Sequence, residues 1–151
     1  MTDLTTGRMA LPLLALAQAQ KELTHNEALA LIDLLLHPVV EDQLDDPGSL
    51  SPITGQCWLV GDQPTGAWEG HPGCIAGWTE GGWRFAPPID GMQLFDRSGD
   101  GTSIYRNANW TAPPALAVPS GGSVIDVEAR ESLGVLIAAM RRAGLTIVAG
   151  D

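Results

Sequence analysis

From Thr24 to Pro38 the chain reads THNEALALIDLLLHP, with Ala28, Leu29, Leu31, Ile32, Leu35 and Leu36 at helical spacing. This predicts a helix with a wide apolar face. Thr24 followed three residues later by Glu27 matches a capping box at its start, and Pro38 stops it. A shorter helix is predicted from about Pro12 to Leu23, because proline is tolerated in a first turn. Residues 1–10 read as an extended arm, and EDQLDD at 41–46 as a solvated acidic loop. From Ser51 to Trp110 the grain changes. Short runs (CWLV, CIAGW, GWRFA, GMQLF, TSIYR) alternate with glycine-containing turns, and Gly81-Gly82 between Trp78 and Trp83 marks a tight hairpin. These runs predict a small antiparallel meander of about four to six strands. Pro113, Pro114, Pro119, Gly121 and Gly122 make 111–122 read as a linker.

The last segment predicts a helix with Asp126 as N-cap, Gly144 just past its end, and Arg141 and Arg142 in the last turn. Ala129, Leu133, Leu136, Met140 and Ala143 are spaced four, three, four, three, the seam of a short coiled coil. The fold class expected is α+β: N-terminal helices within 12–37, a meander over 51–110, a Pro/Gly linker and a C-terminal helix. That divides the chain into a domain at 1–110, the linker at 111–122 and an oligomerisation helix in 123–151.

A chain of 151 residues is long enough for one domain with a real core. With 44% hydrophobic and 17% charged residues it is globular rather than disordered. A net charge of −10 repels phosphate backbones, so no nucleic-acid partner is expected, and no basic amphipathic face suits an anionic membrane. MALPLLALA at 9–17 imitates a signal-peptide core, but Asp3, Pro12 and the unbroken continuation into QAQKELTHNEAL argue against it. The two cysteines, Cys57 and Cys74, read as reduced thiols packed as small hydrophobes, with a pairing across adjacent strands as the alternative.

Candidate chemistry is sparse. Asp96, Ser98, Asp100 and Gly101 match the first half of a calcium loop. The twelfth position is Asn107 and no helical pattern flanks the motif, so a hairpin turn accounts for the same residues. His25, His37 and His71 lack metal-ligand spacing, and no nucleophile elbow or phosphate loop occurs. No catalytic, cofactor or metal residues are expected, and the protein reads as a non-enzyme. The five tryptophans, Trp58, Trp68, Trp78, Trp83 and Trp110, all lie in the β region. They read first as the large core residues of a small sheet. Exposed faces of Trp68, Trp78 and Trp83 would also suit sugar rings.

QAQKELTHNEAL at 18–29 is preceded by Arg8 and Leu11-Pro12 and followed by Asp33, Gly55, Gly66-Ala67-Trp68, Gly70, Gly73, Ile75-Ala76-Gly77-Trp78, Gly82-Trp83 and Pro87. This pattern resembles a family of uncharacterised proteins carried by bacterial prophages and gene transfer agents. The resemblance covers about residues 6–92, with a second stretch at 124–147. It implies a structural component of a phage-like particle, in a tail fibre or head spike, acting as an oligomeric base or adaptor for host attachment. The partners it implies are further copies of the chain (a trimer, or a vertex-associated pentamer), other particle structural proteins and a host-surface glycan. The location it implies is the virion or phage-like particle, assembled in the bacterial cytoplasm. The alternative from another class is a carbohydrate-binding module contacting host capsule polysaccharide.

Overall fold

Cys57–Val60 is buried at every position, so both faces of the strand it forms are covered. The reason is visible in a computed structural model of the protein, which describes residues 4–15, 21–122 and 126–148. Strands β1 (Val39–Val40), β2 (Gln43–Leu44), β3 (Cys57–Val60), β4 (Ile75–Thr79), β5 (Gly82–Ala86), β6 (Gln93–Asp96), β7 (Gly101–Arg106) and β8 (Asn109–Thr111) divide between two sheets. One has the order β2-β3-β4-β5 and the other β1-β6-β7-β8. The outer pairs β2-β3 and β1-β6 are parallel, and the remaining pairs in these sheets are antiparallel.

The expected single meander over 51–110 is therefore two antiparallel meanders, each extended by a short parallel strand from 39–44. Strands of two residues are too short to leave a periodic signal. For the same reason the acidic run at 41–46, read as a solvated loop, holds β2, and its Leu44 packs on the core. Alternation along β3 then makes two cores. Cys57 and Leu59 point toward Leu34, Val40, Ile75, Ala86 and Leu94, while Trp58 and Val60 point toward Trp68, Cys74 and Ala76. The predicted hairpin at Gly81-Gly82 is present: β4 and β5 pair from Ile75–Ala86 to Thr79–Gly82, and Gly82 has φ +93°.

Helix α1 spans Lys21–Leu35. It begins three residues before Thr24, so Thr24 sits inside the helix and is exposed, and the capping box is not formed. The helix predicted from Pro12 to Leu23 is also revised. Residues 11–15 belong to a looped arm closed by a Thr5–Pro12 bridge, and Leu16–Gln20 lie outside the described residues. With the cap gone, Thr24→Ala is expected to raise stability by about half a kcal/mol, through helix propensity alone. A melting temperature lowered by the change would restore the box.

Leu34 docks α1 onto the first sheet at Gly77, where a Cβ would overlap the leucine side chain. The helix then ends without a glycine. His37 takes φ +56°, and the Arg8 guanidinium donates to the carbonyls of Asp33 (2.8 Å), Leu34 (2.9 Å) and His37 (2.6 Å), occupying acceptors that helix ends leave open.

At the other end of the chain, helix α2 (Val127–Arg142) has the predicted caps. The Asp126 carboxylate accepts from Ala129 N at 2.9 Å. Gly144, at φ +69°, closes a Schellman motif in which Leu145 N donates to Met140 O and Gly144 N to Arg141 O. The 111–122 tract differs from the expected linker. It contains the end of β8 and a strand β9 (Ala115–Leu116), which pairs in parallel with β10 (Ile147–Val148). Thr146 is buried and its hydroxyl donates to Pro114 O, which also accepts from Ile147 N. Proline lacks a donor but keeps its carbonyl, and that is the group used here.

Candidate functional site

Helix α2 lies on the body by one face. Ile137 is buried, and Arg141 reaches Leu116 O at 2.8 Å from the same side. At 100° per residue the predicted seam is centred about 80° round the helix from Ile137. Its leucines are left open: Leu133 is 43% and Leu136 55% exposed. Ala129 and Ala143 are exposed and Met140 is half-buried. Leu133 and Leu136 thus form an exposed apolar stripe on a helix that meets the body by another face.

The tryptophans are distributed differently from the glycan-contact expectation. Trp68 is carried inward by a single 3₁₀ turn, Gly66–Trp68, and is 0% exposed, so it offers no face to a sugar. Trp83 is half-buried and meets three rings edge-on: Trp58 at 5.6 Å, Trp68 at 5.1 Å and Trp78 at 4.9 Å between centroids. The four rings form one cluster centred on Trp83. Trp78 borders a cleft of ≈ 320 Å³ between the arm, α1 and the β4–β5 hairpin.

That cleft is built by the motif residues of α1. Asn26 holds the arm through both backbone groups of Leu14, each at 3.0 Å. The Asp33 carboxylate accepts from Arg8 N at 2.9 Å and Met9 N at 2.7 Å, while Arg8 caps the helix. Glu27, freed from any capping role, takes a bidentate pair of bonds from Arg84 of β5, at 2.6 Å each. Leu13, Leu23 and Trp78 supply apolar wall. Arg8, Asn26, Asp33 and Arg84 thus act as positioning residues. Their partners are distant in sequence, so no local spacing signals these roles.

The Arg84 guanidinium holds the Glu27 carboxyl below the usual glutamate range. Its contribution is therefore complete above the ordinary glutamate pKa of about 4.3 and is lost as pH falls through the depressed value. The pair is half-exposed and contributes under about 1 kcal/mol. Glu27→Gln should cost that amount at pH 7 and nothing at pH 2, checked by urea titrations at both. An equal cost at both pH values would show that the charge plays no part.

The half calcium motif forms the hairpin turn between β6 and β7. Asp96 accepts from Ser98 N and Ser98 Oγ, each at 2.9 Å, and Asp100 takes φ +49°. Among the described residues no group of three or more His, Cys, Asp or Glu is placed to hold a metal ion. Cys57 and Cys74 are free and buried in separate cores. Burial pushes the Cys57 thiol up to about 11 and raises that of Cys74. No helix of the described residues is long and apolar enough to cross a membrane.

Residues 25–111 match the profile of a family described as proteins of unknown function, DUF2793. No functionally curated protein matches the chain.

Proposed function

This chain belongs to the DUF2793 family, and we propose that it is a structural component of a phage-like particle, an oligomeric base or adaptor within a tail fibre or head spike. One observation carries the reading: α2 is docked by its Ile137 face and keeps a second apolar stripe, Leu133 and Leu136, open to a partner. The natural occupant is the same stripe of another copy, because a seam of period 3.5 pairs with its like. Two heptads are too short to associate unaided. Here the helix is tied to a folded body through β9, β10 and Thr102, whose N–H donates to Gly144 O. Docking fixes the seam before association, which lowers the entropy lost when copies meet.

The apolar surface of residues 25–36 and of the 129–143 seam, more than one small domain covers, supports several copies, with three about one axis favoured. Other particle proteins would complete the attachment, and the working location is the particle. Size-exclusion chromatography with light scattering tests this. A stable trimer at micromolar concentration is expected, and a strict monomer would overturn it.

A further inference from the structure

We propose that the cleft where the β7–β8 hairpin meets the end of the other sheet binds an uncharged pyranose sugar. The cleft measures ≈ 300 Å³ and is separate from the one at Trp78. That volume lies at the small end of ligand sites and suits about one or two sugar rings. Its walls come from both sheets: Gln43 of β2 and Asp62 after β3 on one side, Tyr105, Asn109 and Trp110 on the other.

The aromatic pair is fixed in advance. Tyr105 and Trp110 are opposite one another in the β7–β8 register, with ring centroids 5.3 Å apart and planes at 60°. Trp110 Nε1 donates to Gly73 O at 2.9 Å, which ties the indole to the other sheet and leaves both rings half-buried. Trp110 also packs on the first core, so the part of each ring that stays exposed is held in place to meet the C–H face of a pyranose at little entropic cost.

Polar groups stand around them. Asn109 uses its amide nitrogen on Asn107 O, which leaves Oδ1 open. Gln43 and Asp62 are exposed at the cleft and Tyr105 is half-buried beside them. Together they supply donors and acceptors, the mixture that vicinal hydroxyls require. The hairpin rim is also strained, with Asn107 at φ +51° and Ala108 at φ +62° where a glycine would be usual.

Charge selects among sugars. No Lys or Arg lines the cleft, Asp62 does, and the whole chain carries −10. Uronic and sialic acids would be repelled. A quaternary ammonium would be drawn to Asp62 and the rings, but it would leave both amides unused.

The inference is independent of the oligomer and adds a ligand to the adaptor reading. The test is saturation-transfer NMR on the full chain with methyl glucoside, methyl galactoside, methyl mannoside, glucuronate and choline. Saturation of at least one neutral glycoside is expected, with none of glucuronate or choline. Asp62→Ala and Tyr105→Ala should each weaken binding at least about tenfold. Leu23→Ser, in the arm cleft, should leave it unchanged. Asp62 is exposed, so Asp62→Ala keeps the test decisive if Tyr105→Ala does not fold. Silence from all three glycosides, preference for choline or glucuronate, or loss only on Leu23→Ser would each overturn the proposal. Light scattering on the same samples separates the two readings: a monomer that binds sinks only the adaptor, and a trimer that does not bind sinks only the sugar site.

Discussion

Leu136→Asp is expected to separate the protein into folded protomers. Leu136 is 55% exposed in a single copy, so the body does not need it. In an assembled seam the leucine is enclosed, and its burial stabilises by about 1.5–3 kcal/mol per copy. A carboxylate at that position must be desolvated without a partner, which adds a further cost. Association should weaken by at least about a hundredfold, or about 3 kcal/mol. Light scattering should report the smaller species. Near-UV circular dichroism should be unchanged, because every tryptophan lies between residues 58 and 110. Unfolding of the whole chain would instead place α2 in the core, and an unchanged oligomer would mean that the seam faces solvent.

The second large effect concerns Gly77 and Leu34. Leu34 is 2% exposed and presses directly on the Gly77 backbone. Leu34→Ala removes a buried side chain and should cost about 2–5 kcal/mol. Gly77→Ala inserts a methyl into occupied space and should cost about 1–3 kcal/mol. The double variant should lose less than the sum, since the new methyl enters the space that Leu34 vacates. Urea titration of the cycle measures this. Strict additivity would show that helix and sheet do not meet there as described.

The same contact explains what the sequence could disclose. Gly77 stands within Ile75-Ala76-Gly77-Trp78, so its place in the pattern was visible while its reason was not: that reason is a leucine 43 positions earlier (77 − 34). The hairpin between Trp78 and Trp83 and both caps of α2 were legible because every group they need is within a few residues. Thr24 and Glu27 misled for the opposite reason. Their spacing imitates a local cap, but Glu27 engages Arg84, and α1 starts earlier. Trp68 read as a candidate surface ring because no alternation marks which way a single 3₁₀ turn aims its last side chain. The Tyr105–Trp110 cleft was not foreseen, since its opposite wall, Gln43 and Asp62, belongs to the other sheet.

Residues 39–44 contribute one short strand to each sheet: Val39 and Val40 pair with Phe95 and Asp96, and Gln43 and Leu44 with Leu59 and Val60. A single hexapeptide therefore stitches the two meanders edge to edge, in addition to the shared packing of Leu94 and the Trp110–Gly73 bond. If it is pulled from either sheet, it loosens in both, so neither can open alone without a cost in the other. The β-body should then melt as one cooperative unit, with amides in β3 and β7 exchanging through the same global event rather than sheet by sheet. A chain built this way has no stable half. Nicking within 41–46 would release two edges at once and expose both to pairing with other chains.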